Sequence, residues 1–164
     1  MLPKDMFYYQ KIKSPVGNLY LVANSHALVA LTMELNWAET CPGFTGLVKK
    51  STPVLETAIL QVSEYFDGKR KLFDLPLETA GTNFQQKVWH SLTQIPFGKT
   101  ISYKTQSERL QQPKAIRAVA QANGRNPISI VIPCHRVIGT SGKLTGYAGG
   151  LDAKKYLLQL EQHA

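Results

Sequence analysis

The sequence predicts two unlike parts: an α/β amino-terminal domain, with a small antiparallel sheet plus a helix, and a mainly helical carboxy-terminal domain with a helix-turn-helix. Three observations predict this. The first third sets aromatic and apolar stretches between turn-forming residues, the pattern of short paired strands. Further on, hydroxyl-bearing residues precede apolar positions at helical spacing. Between them lies the polar, proline-containing stretch Lys69–Ala80, after which Gly81–Ser107 holds no acid at all. The expected domains are residues 1–78 and 79–164.

Taken in order, Phe7–Lys13, Leu19–Ala23 and Leu28–Leu31 read as three strands. Ser14-Pro15-Val16-Gly17-Asn18 and Asn24-Ser25-His26 supply the turns between them, so an antiparallel meander is predicted. Asn36–Lys50, with Pro42, Gly43 and Gly46, reads as loop. A helix should start at Ser51-Thr52-Pro53, because a hydroxyl cap followed by proline at the first helical position suits the donor-free turn. Leu55, Ile59, Val62 and Phe66 form its stripe, and Asp67-Gly68 ends it. Thr82-Asn83-Phe84-Gln85 has the form of a capping box, with Phe84, Val88, Leu92 and Ile95 as the stripe behind it. Ser102 should cap a helix from Tyr103 to about Leu110, and a third helix should follow over Lys114–Asn123. These two short helices, joined at Gln111-Gln112-Pro113, give the helix-turn-helix pattern. Ala115, Ala118, Ala120 and Ala122 make the third helix small-sided, which suits either tight core packing or close contact with DNA.

Ile128–Val137 is a nearly continuous apolar run and reads as a buried strand that stops at Pro133. It delivers Cys134, His135 and Arg136, a thiol, an imidazole and a guanidinium. A glycine-rich loop, Gly146–Gly150, follows; it lacks the spacing of a phosphate-cradling motif. Asp152 should cap a last helix that packs through Ala153, Tyr156, Leu157 and Leu160.

Charge is unevenly placed. Residues 1–80 balance eight Lys/Arg against eight Asp/Glu, whereas residues 81–164 set eleven against three, Glu108, Asp152 and Glu161. The whole excess of +8 therefore lies beside Cys134. A polyanion such as nucleic acid accounts for this, and so does a basic surface kept for solubility. Met1–Met6 carries an acid and no apolar stretch, and no long apolar run occurs elsewhere, so a cytoplasmic protein without a membrane helix is expected. Two cysteines, Cys41 and Cys134, cannot make a disulfide framework, and the histidines lack zinc-ligand spacing.

A thiol titrates at about 8.5 and needs a base or a cation to become a nucleophile. His135 is the candidate, although neighbours in an extended chain face apart, so a bend after Pro133 or a bridging water is required. A histidine base needs an orienting carboxylate, and Glu161 is the best of the three acids by elimination. The alternative is that Cys134 is a small buried hydrophobe.

Pro133-Cys134-His135-Arg136-Val137, with Asn126-Pro127 before it and Tyr147-Ala148-Gly149-Gly150 after it, strongly resembles the methylated-DNA–protein-cysteine methyltransferases, also called O6-alkylguanine-DNA alkyltransferases. Phe84–Trp89, Ile95–Gly98, Ser102-Tyr103, Arg117-Ala118-Val119 and the early Ser14–Gly17 extend the resemblance over the whole chain. It implies a ribonuclease-H-like α/β domain followed by a winged-helix-like DNA-binding domain. It implies direct-reversal repair: a damaged nucleotide of double-stranded DNA is flipped out through the minor groove, and its alkyl group passes once and irreversibly to Cys134. O6-alkylguanine is the implied substrate, with O4-alkylthymine as an alternative. By position, His135 acts as base through a water, Glu161 holds it, Tyr103 contacts phosphate and donates a proton, and Asn126 braces the turn. Arg117 fills the vacated stack, with Ala118, Ala122, Asn123 and Arg125 on the DNA face. Val137, Tyr147, Ala148 and Gly149 would form the base pocket. No cofactor, no metal and a monomer are implied, and the zinc-binding cysteines of some relatives are absent. The chain departs from the family pattern at Gln106-Ser107 (usually Leu-Ala), at Gln111 (often glycine) and at Ala120 (glycine). The residues by themselves also admit a cysteine hydrolase with repeated turnover, or a lesion-binding module without chemistry.

Overall fold

The computed structural model describes residues 6–163; the expectation for the first residues lies outside the described part. The chain forms two compact units, residues 1–79 and 80–164.

In the first unit, β1 (Tyr8–Ser14), β2 (Gly17–Ala23) and β3 (Leu28–Met33) form the predicted meander. Ser14 pairs with Gly17 across a two-residue turn, and Gly17 takes φ +97, which only glycine adopts without strain. The stretch expected as loop is largely structured. It holds helix α1 (Glu34–Thr40), a 3-10 turn at Cys41–Gly43 and a two-residue strand β4 (Val48–Lys49). β4 runs parallel to β1, so the sheet is mixed, in the order β3-β2-β1-β4, rather than wholly antiparallel. Every residue of β3 and Leu19–Ala23 of β2 are buried. Such a sheet is covered on both faces, which is why the strands read as apolar runs and not as alternation. Tyr20 stacks on Trp37 of α1 at 4.4 Å on one face. Helix α2 (Pro53–Phe66) packs on the sheet through Leu55, Ala58, Val62 and Tyr65, with Leu55 and Val62 each contributing about 1.5–3 kcal/mol. Thr52 caps α2, its hydroxyl accepting from the Leu55 amide, and Pro53 opens it. The 69–79 segment is not a free connector. Gln61 clasps Asp74 through both amide atoms, and Leu77 bridges to Leu28.

The second unit holds α3 (Asn83–Leu92), β5 (Ile101–Ser102), α4 (Tyr103–Arg109), α5 (Ile116–Gly124), β6 (Val137–Ile138) and α6 (Leu151–His163). The capping box at Thr82 and Gln85 is present in both directions, and Ser102 caps α4. β5 and β6 pair in parallel. α3 and α4 both pack on α5, and Trp89 Nε1 donates to the Ala122 carbonyl at 2.8 Å. Gln111, in the turn between α4 and α5, has φ +58, a left-handed conformation that costs a side-chain-bearing residue energy. On α6 the inner face is Ala153, Lys154, Leu157 and Glu161; Tyr156, expected inside, is 37% exposed. Among the described residues no helix is long and apolar enough to cross a membrane.

Candidate active site

The apolar run before Cys134 is buried, as its composition demands, but it is not a strand. Ile130 has φ +74 while the Val131 amide bonds the Ser129 carbonyl at 2.8 Å, a γ-turn of the strained hand. A second γ-turn, of the relaxed hand, centres on Pro133, where the Cys134 amide donates to the Ile132 carbonyl at 2.9 Å. Asn126 holds this coil from outside. Its Nδ2 donates to the Ile132 carbonyl at 2.7 Å and its Oδ1 accepts from the Ile128 amide at 3.0 Å. A left-handed β-branched residue is expensive and persists only where its surroundings impose it. Cys134–Arg136 then forms a single 3-10 turn. This is the bend that an extended chain could not provide.

Below that turn sits a buried ionic cluster. Glu161 Oε2 accepts from His135 Nε2 at 2.6 Å and from Arg136 Nη2 at 3.1 Å. Its Oε1 accepts from Arg136 Nε at 2.8 Å and from the Gly98 amide at 3.2 Å. Burial alone would raise the Glu161 carboxyl, but the bonds and charges of His135 and Arg136 override it and hold the group at about 2. Glu161 is therefore ionised, so the proton between it and His135 lies on Nε2, and Nδ1 is left with a lone pair. Nδ1 is buried and has no partner among the described residues. Burial lowers the His135 pKa, with Arg136 and Lys154 adding to the effect against the pull of Glu161, so the ring is neutral at neutral pH. Arg136 also donates Nη1 to the Ile95 carbonyl at 2.7 Å.

Cys134 is 9% exposed. Burial pushes its thiol up, while Asn126 and the charge of Lys154 pull it down. A protonated thiol beside a neutral imidazole is the resting state of this arrangement. Cys134 forms part of a cleft of about 700 Å³, together with Tyr103, Arg117, Asn123, Tyr147 and Ala148. Tyr103 donates its hydroxyl to the Thr145 carbonyl at 3.1 Å, and burial raises its pKa, so it keeps its proton at neutral pH. The Tyr147 phenol is held well above its usual range, chiefly by burial.

Other sequence-predicted residues divide. Arg117 and Ala118 are exposed on α5, and Arg125 is exposed just past its end. Ala122 and Asn123 are buried beneath that surface, so their side chains do not face outward. Val137 is fully buried, and neither it nor Gly149 lines the cleft. The Val137 carbonyl already receives a donor. That donor is Lys154, the residue that sequence reasoning missed. Its side chain is fully buried, and Nζ donates to the carbonyls of Val137 at 2.7 Å, Thr145 at 2.8 Å and Gly146 at 3.4 Å. It ties the loop after Cys134 to α6 and sets a positive charge near the thiol. The signal was its spacing: Lys154, Leu157 and Glu161 lie three and four residues apart, on one helix face. Among the described residues no cluster of His, Cys, Asp and Glu is fit to hold a metal ion.

Two family models match the chain. The ribonuclease-like domain of 6-O-methylguanine DNA methyltransferase covers residues 7–79, and the DNA binding domain of the same family covers 83–163. A methylated-DNA–protein-cysteine methyltransferase of Methanosarcina barkeri is 43% identical over 165 residues, spanning 95% of this chain and 98% of its own. The crystal structure of Mycobacterium tuberculosis O6-methylguanine methyltransferase superposes with a TM-score of 0.87 at 43% identity, over 96% of this chain and 94% of that one. The Mycobacterium tuberculosis protein in complex with DNA gives 0.85 at 41% identity, over 96% and 93%.

Proposed function

We propose that this chain, which belongs to the 6-O-methylguanine DNA methyltransferase family, repairs alkylated DNA by moving the alkyl group from guanine O6 onto Cys134. The observation that carries the reading is the Glu161–His135 pair adjoining Cys134 at a cleft in the basic half of the chain. The ionised carboxylate fixes the ring with Nδ1 free to accept. The Cys134 proton passes to that nitrogen through a water, and the sulfur attacks the alkyl carbon. The C–O6 bond breaks, and its electron pair goes to the guanine. Tyr103, leaving the Thr145 carbonyl, gives a proton at guanine N3 so that a neutral base departs. The new C–S bond is a thioether, which water does not displace, so each molecule acts once.

The basic, exposed face of α5 supports DNA contact, with Arg117 entering the vacated stack and Ala118 and Arg125 against the backbone. A solved DNA complex of a relative supports it too. Approach from the minor groove, action as a monomer and residence in the cytoplasm are the finer parts of this proposal. Tyr147 and Ala148 wall the base, while Gly149 and Val137 act from behind the wall.

The test is mass analysis after reaction with duplex DNA carrying O6-methylguanine. One methyl per protein, on Cys134, is expected. Product that accumulates well beyond the molar amount of protein, or methyl on another residue, refutes the mechanism. A cysteine hydrolase would show the first of these results.

A further inference from the structure

Gln106 and Asn123 are 1% and 5% exposed, unusually buried for side-chain amides. They face each other from α4 and α5. Gln106 Nε2 donates to Asn123 Oδ1 at 2.9 Å, and Asn123 Nδ2 donates back to Gln106 Oε1 at 2.7 Å. Gln106 Nε2 also donates to Ser91 Oγ of α3 at 3.2 Å, so one amide links three helices. Asn123 forms part of the cleft that contains Cys134, whereas Gln106 does not. Gln106 is also a position where the chain departs from the family pattern.

We infer that the Gln106–Asn123 pair determines which alkyl groups the Cys134 cleft accepts, with Asn123 as its polar wall and Gln106 as the residue that holds that wall in place. The inference rests on the function proposed above. A lone asparagine at a cleft edge turns its amide to suit what arrives. This one cannot, because a reciprocal pair fixes both ends, and turning away would leave a buried amide unpaired. The cleft that contains Cys134 therefore has a fixed amide in its lining. A methyl group adds too little surface to feel it. A benzyl group reaches further over the lining, and where its ring meets Asn123 it packs on a polar amide face and not on an apolar side chain. Small alkyl groups are favoured over large apolar ones for that reason. The pair acts through shape and polarity; neither residue takes part in proton transfer.

The experiment measures single-turnover rates on two duplexes, one with O6-methylguanine and one with O6-benzylguanine, and compares their ratio between proteins. Replacing the pair by apolar residues, Gln106→Leu with Asn123→Met, should raise the benzyl-to-methyl ratio at least tenfold. The exchanged pair, Gln106→Asn with Asn123→Gln, keeps both amides and their combined length and should stay within about twofold of the parent. Should the apolar pair not fold by thermal melting, Gln106→Met alone decides. It lies outside the cleft, yet freeing Asn123 should still raise the ratio at least threefold. An unchanged ratio in the folded apolar variants overturns the inference, as does a parallel fall of both rates, which would assign the pair to stability alone. A parent protein that transfers no methyl to Cys134 overturns the proposed function together with this inference, a pattern distinct from an active parent with an unmoved ratio.

Discussion

Replacing Glu161 by glutamine keeps the side chain's size and removes its charge. The carboxylate accepts four donors, from His135, the Gly98 amide and two nitrogens of Arg136. Glutamine has one oxygen. Its NH2 group must face either His135 and Arg136 or Arg136 and Gly98, so two donors meet a donor in either orientation. Arg136, 6% exposed, also loses its counter-charge. The size of the effect follows from the depressed pKa. A fall from 4.5 to about 2 on folding corresponds to about 3 kcal/mol at 1.36 kcal/mol per unit. The sign follows from the folded pKa lying below the unfolded one. The contribution is complete above 4.5 and is lost as pH falls through the interval down to about 2. Glu161→Gln should therefore be less stable than the parent by about 3 kcal/mol or more near neutral pH, with the gap shrinking steadily below about pH 4.5. Urea unfolding followed by tryptophan fluorescence, at several pH values between about 7 and about 3, measures the gap. A gap of the same size at every pH refutes the electrostatic account and leaves only a packing defect. The single-turnover rate should fall as well, because His135 loses the partner that fixes its tautomer.

Lys154→Met should destabilise the fold by about 1–3 kcal/mol through the carbonyls it leaves without a donor, read from the same unfolding curves. It should also shift the pH profile of Cys134 alkylation by iodoacetamide upward, because the Lys154 charge lowers the thiol pKa; an unmoved profile would rule out that influence. Gln111→Gly should stabilise the protein by about 0.5–1 kcal/mol, since the turn holds this residue at φ +58. A loss of stability on that change would show that the Gln111 side chain holds more than the backbone strain costs.

What the sequence disclosed is what local chemistry encodes. Thr52, Thr82 with Gln85, and Ser102 mark helix starts because a hydroxyl satisfies the free amides there, and all three caps form. α1 escaped because Met33 precedes it, a residue with no capping group. β4 escaped because two residues carry no period. The run Ile128–Ile132 was misread because burial sets composition, whereas Asn126 and two γ-turns set conformation. Cys134, His135 and Glu161 were legible in the sequence and do gather at one place. Lys154 was hidden, because a lysine on a helix is ordinarily solvated and the carbonyls that bury it arrive from a distant loop. Arg136 was seen as a charge beside the thiol, but nothing in the sequence showed that it would turn inward and share Glu161 with the histidine.

The burial of Cys134 has one more consequence. A molecule that works a single time must stay loaded while it waits for damage. A low-pKa, open thiolate would react with any passing oxidant or soft electrophile. Here the thiol is covered and its pKa is raised by burial, so reaction with passing electrophiles is slowed. A generic maleimide should accordingly label the partly exposed Cys41 well ahead of Cys134. Reversal of that order would mean that the sulfur is kept armed, not safe.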